Sequence, residues 1–326
     1  MKIRNPAIMM VPLAAVAAFA LPAHLAAQTY PIKPVRVIVP FAAGGGTDIQ
    51  ARVLFKDLHE QFGQAFIVDN RPGASGLIGA ELAVNSPADG YTLLFTAAPL
   101  ATNATLYRNT MKFHPVKDLA PVSLISSTPL VLVVHPNVPA RTPKELIELA
   151  KKKAAHLNAA INVPGSTSHL SAEMLKQLAG IKFTNVPFKG GGPAMIAMIS
   201  GELDFQFAEG LLAAPQIRTD RVRALAVTTR EPSPFFPGLP TMNSFLPGFV
   251  SDNWFAMFFP AGTPEEVVIT VNIAIRKALD SKAARALFER DALIAMGSTP
   301  KELAAHLQRE IDRYAEVIRK GNITLQ

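Results

Sequence analysis

The stretch Val35-Arg-Val-Ile-Val-Pro-Phe-Ala-Ala-Gly-Gly-Gly-Thr-Asp48 joins a β-branched run to a glycine triplet and then to a polar pair. Val35 to Pro40 reads as a buried strand, because a strand covered on both faces carries no polar alternation. Thr47 with Gln50 three residues later has the spacing of a capping box. Ile49, Val53, Leu54, Leu58 and Phe62 then form one apolar helix face that stops at Gly63. Strand, glycine loop and helix in this order make the repeating unit of parallel sheets with crossover helices.

Outward from this stretch, Phe66 to Val68 reads as a second short strand, Asn70 to Gly79 as a turn-rich loop and Tyr91 to Thr96 as a third strand. The alternation then repeats. Leu130 to Val134, Asn158 to Asn162, Thr184 to Pro187, Asp204 to Phe207 and Ala224 to Thr228 are strand-like. Helical periodicities lie at Leu170 to Leu178 and Pro193 to Ile199, and Thr142 starts another helix with Pro143 in its first turn. Glu231 to Pro247 carries five prolines, too many for regular structure, and reads as a loop or an interlobe connection. Beyond the strand Trp254 to Phe259, helices over Pro264–Leu279, Lys282–Arg290 and Pro300–Lys320 are expected to pack back on the first part of the chain. The fold class is therefore α/β, with two lobes that are each a mostly parallel sheet flanked by helices.

The N-terminus has Lys2 and Arg4 with no acid, an apolar run from Ile8 to Ala23, and small residues up to Ala27. That is the pattern of a secretory signal peptide over residues 1–27, and no second apolar run of about 20 residues follows it. Cysteine is absent, so the core alone holds the mature chain. The formal charge is +7, of which Lys2 and Arg4 account for two, and the remaining excess is spread thinly. Together with export, that excludes nucleic acid as a partner.

Three places share a strand, then glycine or serine, then a helix start: Phe41 to Asp48, Pro164 to His169, and Phe188 to Pro193. Unpaired N–H groups and the positive dipole end of a helix favour an anion there, and glycines let it approach closely. In parallel sheets such loops lie at the carboxyl ends of the strands, where ligands bind. The phosphate-loop pattern is missing, and the dinucleotide fingerprint fails because Ile49 stands at its third glycine. Neutral donors of this kind suit a carboxylate. Ser168 with His169 is the sole hint of hydrolytic chemistry, without a Gly-x-Ser-x-Gly elbow. The seven histidines lack metal-ligand spacing, so neither a metal nor a cofactor is expected. Asp48 could accept a hydrogen bond from the ligand or steady its own helix turn. Lys189 could balance the anion or sit in solvent. Phe41, Phe188 and Phe207 could wall the pocket or belong to the core.

At these motifs the sequence resembles the Bug family, the extracytoplasmic receptors of tripartite tricarboxylate transporters. The likeness rests on Val35-Arg-Val-Ile-Val-Pro-Phe41, Gly44-Gly45 with Asp48, Asn70-Arg-Pro-Gly-Ala-Ser-Gly76, Asp89-Gly-Tyr-Thr-Leu-Leu94, Gly165-Ser-Thr-Ser-His-Leu170, Val186-Pro-Phe-Lys-Gly190, Arg223-Ala-Leu-Ala-Val227 and Pro260-Ala-Gly-Thr-Pro264. The resemblance implies a two-lobed periplasmic binding protein of the type II, Venus-flytrap kind. Lobe 1 would comprise residues 28–128 plus 250–326, and lobe 2 residues 129–249. It implies a ligand carboxylate held by Phe41, Ala43, Gly44, Gly45, Thr47 and Asp48, by Gly165, Ser166, Ser168 and His169, and by Phe188, Lys189 and Gly190. Ala98, in the segment from Ala97 to Thr102, would line the same pocket. Ala43 stands where the family commonly has proline. Glu209 lies near a position where the family often has aspartate after Phe207, and hints at a ligand with a positive or hydrogen-donating end. The expected function is capture of a small carboxylate by a periplasmic, non-catalytic monomer that delivers it to a membrane permease. An exported hydrolase, or a receptor for a sensor kinase, are the alternatives.

Overall fold

In the computed structural model, which describes residues 30–152, 157–320 and 323–324, the opening stretch forms β1 (Val35–Val39). Val35, Val37, Ile38 and Val39 are all fully buried. The signal peptide read at residues 1–27 lies outside the described residues. Then follow α1 (Gly46–Phe62), β2 (Phe66–Asn70), α2 (Leu77–Val84), β3 (Thr92–Ala97) and α3 (Pro99–Leu106). The long strand β4 (Leu119–Val134) leads to α4 (Pro143–Lys152), β5 (Asn158–Ile161), α5 (Thr167–Ala179), β6 (Thr184–Pro187), α6 (Gly191–Ser200), β7 (Phe205–Glu209), α7 (Gly210–Arg218) and β8 (Arg223–Val227). The chain closes with β9 (Asp252–Pro260), α8 (Glu265–Leu279), α9 (Lys282–Arg290), β10 (Ile294–Ala295) and α10 (Pro300–Lys320).

Among the described residues the strand order is β2-β1-β3-β9-β4-β7-β5-β6, with β8 and β10 also on β4. The two ends mirror each other. β1 pairs parallel with β2 and β3, and β5 pairs parallel with β6 and β7. A mostly parallel sheet thus holds only for these two three-stranded parts. β9 runs antiparallel to β3 and β4, and β4 antiparallel to β7 and β8, because these strands carry the chain between the parts without crossover helices. β4 changes partner within its length: Leu119 to Pro129 pair with β9, and Leu130 to Val134 with β7.

Packing follows the same division. Ile38, Leu94, Trp254, Phe258 and, from α10, Leu303, Leu307 and Tyr314 make one buried cluster. Leu132, Leu146, Leu175, Phe205, Phe207 and Phe249 make another. The last helices return to the first cluster as expected, and α8 is fixed to β4 by Asn272 Nδ2, which donates to Val122 O at 2.8 Å.

Two local expectations are corrected. α1 begins at Gly46 with Gly45 as its cap and no side-chain capping bond. Gln50 is drawn elsewhere, its Nε2 donating to Gly46 O at 3.2 Å while its Oε1 accepts from Ser126 Oγ, so the Thr47–Gln50 capping box does not form. The apolar face of α1 is also rotated: Ala51, Leu54, Phe55 and Leu58 are buried, while Ile49, Val53 and Phe62 are only partly so. Phe55 takes the lead by stacking on Phe66 and meeting Phe95 edge-on. The Gly63 stop is as read, with φ 67° and its N–H on His59 O.

Candidate functional site

The loops after β1, β5 and β6 close on one cavity of about 50 Å³. A single water needs roughly 10–15 Å³, so the space suits a few waters or the polar part of a small molecule. Phe41 to Ala43 and Gly45 to Thr47 form one wall, Asn162, Val163, Ser166 and Thr167 a second, and Gly190 to Pro193 a third. Ala97 and Pro99 enter from the β3–α3 junction, and Glu209 and Asn253 complete the lining. The first turns of α1, α3, α5 and α6 therefore all reach the same space. Each brings the positive end of a dipole, and α1, α5 and α6 also bring backbone N–H groups without helical partners; α3 starts at Pro99, which has no N–H, and the N–H of Ala98 before it is bonded to Trp254 O. Among the described lining residues there is no Lys, Arg or His.

Side chains outside the cavity hold these loops in shape. Asp48 Oδ2 accepts from Gly44 N–H at 3.0 Å, and its two oxygens also accept from Arg52 and from Asn70 Nδ2. Asn70 Nδ2 also donates to Phe41 O at 3.1 Å. Burial pushes the Asp48 carboxyl up, but the bonds from Arg52, Gly44 and Asn70 outweigh it and hold the carboxyl below its ordinary value. In the second loop, Ser166 Oγ caps α5 by accepting from His169 N–H at 3.3 Å, and His169 Nδ1 accepts from Gly165 N–H at 3.0 Å. Burial, opposed by Glu173, keeps His169 below the usual imidazole value and so neutral. The second loop is tied to α3 and to the segment before α2. Thr102 Oγ1 donates to Gly165 O at 2.6 Å, and Ser75 Oγ donates to Pro164 O.

Glu209 is the one ionisable group of the described lining. Its Oε1 accepts from Asn162 Nδ2 at 3.1 Å and Asn253 Nδ2 at 3.2 Å. Burial raises its pKa to about 7 against the pull of those two amides. Gly46 faces it from α1: a Cβ there would lie 2.6 Å from Glu209 Oε2 and 2.8 Å from Leu211 Cδ2, so a larger residue would force the ends of both side chains to move.

Of the residues singled out in the sequence, the cavity brings together Phe41, Ala43, Gly45, Thr47, Ser166, Gly190 and Glu209. Gly44 and Asp48 sit behind them as the turn and its anchor. Ala98 is fully buried and precedes the lining residue Pro99, its N–H bonded to Trp254 O. Gly165 is turned to Thr102 and has φ 80°, where an added Cβ would strike Leu106 at 2.8 Å. Ser168 is fully buried and its Oγ has no partner among the described residues. His169 instead borders a separate groove with Glu173 and Lys176. Phe207 stacks on Phe249 in the core at 5.4 Å, Phe188 is half-buried against a neighbouring apolar cluster, and Lys189 is exposed. Thr167 and Gly191 lie within the second and third loops read from the sequence, although neither was singled out there, while Asn162 and Asn253 were not anticipated. Asn162 directly follows a readable strand and could have been found by that position; Asn253 gave no signal before the β9 register was known.

Comparison with known proteins gives a consistent set. The profile described as the tripartite tricarboxylate transporter family receptor matches residues 50–323. Protein BugT of Bordetella pertussis (strain Tohama I) is 36% identical over 307 residues, spanning 93% of this chain and 94% of BugT. Among solved structures, Rpa4515 of R. palustris with adipate superposes with a TM-score of 0.87 at 32% identity, covering 90% of this chain and 99% of that one. MatC of Rhodopseudomonas palustris with bound malate gives 0.84 at 31%, covering 89% and 100%.

Proposed function

This chain belongs to the tripartite tricarboxylate transporter receptor family, a family of solute-binding receptors, and we propose that it captures a small carboxylate from the periplasm for a membrane permease. The N-terminal segment serves as the export signal, and the lobes of residues 28–128 plus 250–326 and 129–249 close on the ligand. The observation that carries the reading is the convergence of four helix N-termini on a small cavity without a cation. Such an array suits one carboxylate group: its bonds to N–H donors are charge-assisted, and they stay favourable where the helix dipoles add. That the related structures hold adipate and malate supports the same chemistry.

The receptor performs no catalysis in this reading. Ser168 is buried away from the cavity, and His169 Nδ1 is already occupied by Gly165 N–H, so the pair has no nucleophile-base geometry. Titration calorimetry on the purified mature protein with di-, tri- and monocarboxylates and amino acids tests the proposal. At least one is expected to bind with micromolar Kd, about −8 kcal/mol. Silence across the whole panel would remove the reading.

A further inference from the structure

The carboxylate of Glu209 lies in the cavity without a counter-charge, and the groups around it are all spent in one direction. Its Oε1 receives both amide donors, from Asn162 and Asn253, while Oε2 faces Gly46 and has no hydrogen bond among the described residues. Next to it Asn253 Oδ1 is buried with no partner, in a side chain 3% exposed. Behind it Gln206, 1% exposed, gives its Nε2 to Asn162 Oδ1 at 2.9 Å and leaves its own Oε1 without a partner. The amide orientations follow from the chain of bonds: each nitrogen faces an oxygen, so each free oxygen points the other way. The result is one free carboxylate oxygen at the cavity with two unpaired acceptors buried beside and behind it, and a buried unpaired acceptor is costly until a donor reaches it.

The helix N-termini around the same cavity offer backbone donors: Gly46 of α1 adjoins Glu209 itself, and the first turns of α5 and α6 line the other walls. A single small space therefore holds both backbone donors and an unpaired carboxylate oxygen. A dicarboxylate satisfies the first and adds two more acceptors to the second. A carboxylate that also carries an ammonium group satisfies both, with its three N–H donors and positive charge against Glu209. We infer that Glu209 and Asn253, backed by Gln206, receive an ammonium group, and that the receptor takes amino acids in preference to dicarboxylates of the same length. This rests on the carboxylate reading above and narrows it. Glu209 alone supplies the charge, because the elements around it present Gly46, Asn162, Asn253, Leu211 and Phe255, none of which titrates.

The test is titration calorimetry at pH 8 on the mature chain, with α- and ω-amino acids of three to six carbons against dicarboxylates of the same carbon numbers. The tightest amino acid is expected to bind at least tenfold more tightly than the tightest dicarboxylate. In Glu209→Gln its affinity should fall at least thirtyfold, so that the order of the two classes inverts. Asn253→Ala should weaken the same amino acid about tenfold, and this variant carries the comparison if Glu209→Gln does not fold by circular dichroism. Dicarboxylates leading in the wild-type protein, or an order that folded Glu209→Gln leaves unmoved, would overturn the inference while the carboxylate receptor stands. No binding by either class would overturn the inference, and silence of the mono- and tricarboxylates as well would overturn the carboxylate reading with it.

Discussion

At the scale of single residues, Glu209 couples the cavity to pH. Its carboxyl titrates near 7 in the folded chain against an ordinary 4.5. The folded state thus binds this proton more tightly, and the cost of ionising the group is absent below about 4.5. The cost grows as pH rises through the window and is complete above about 7, where it reaches about 3 kcal/mol. Glu209→Gln is expected to be more stable than the wild type at pH 8 by up to that amount. The gain should vanish towards pH 5, as read from ligand-free urea denaturation at several pH values. Equal stabilities at pH 8 would mean that the carboxyl is not held in this way. Gly46 belongs to the same argument: an alanine in the first turn of a helix ordinarily helps, yet here its Cβ would meet the carboxylate and Leu211 too closely.

At the scale of elements, two threonines with the same sequence signature have different fates. Thr142 caps α4 in full, its Oγ1 accepting from Glu145 N–H at 3.2 Å while Glu145 Oε2 accepts from Arg141 N–H. Thr47 caps nothing and lines the cavity instead. Thr142→Ala should therefore lose about 1 kcal/mol of stability with ligand affinity intact. Thr47→Ala should weaken the ligand while its melting temperature stays within a degree or two; the reverse pattern would be evidence against the assignment. Local signals of this kind made the glycine loops and most strands readable, since each lies in a short run of sequence. The helix end marked by Gly63, and the whole of Pro300–Lys320, were legible for the same reason. What stayed hidden depends on partners far along the chain. The first eleven residues of β4 carry Pro121 and Pro129 and several hydroxyls, and they become strand only because β9 pairs with them through two register irregularities. α3 and α7 gave no helical reading in the sequence; each carries a proline, Pro99 at the start of α3 and Pro215 inside α7. The rotation of α1, the inward turn of Phe207 and the arrival of Asn253 in the cavity are likewise decided by tertiary packing.

At the scale of the whole molecule, the lobe closure proposed above would make the tie between α3 and the second loop a lever. Thr102→Val keeps the shape of a fully buried side chain but removes the donor to Gly165 O, leaving a buried carbonyl unmet. About 1–2 kcal/mol lost from the closed form alone should weaken ligand five- to thirtyfold. The radius of gyration of the ligand-free protein in small-angle scattering should increase, and saturating ligand should restore it. Wild-type affinity and dimensions in this variant would show that the bond does not contribute to closure. Trp254 neighbours that event. It follows the cavity residue Asn253, its backbone oxygen accepts from Ala98 at the head of α3, and its indole N–H donates to Glu310 on α10. The sequence contains no second tryptophan. The chain therefore has a single native indole beside the cavity, and its emission, excited apart from the four tyrosines, follows one site without a label.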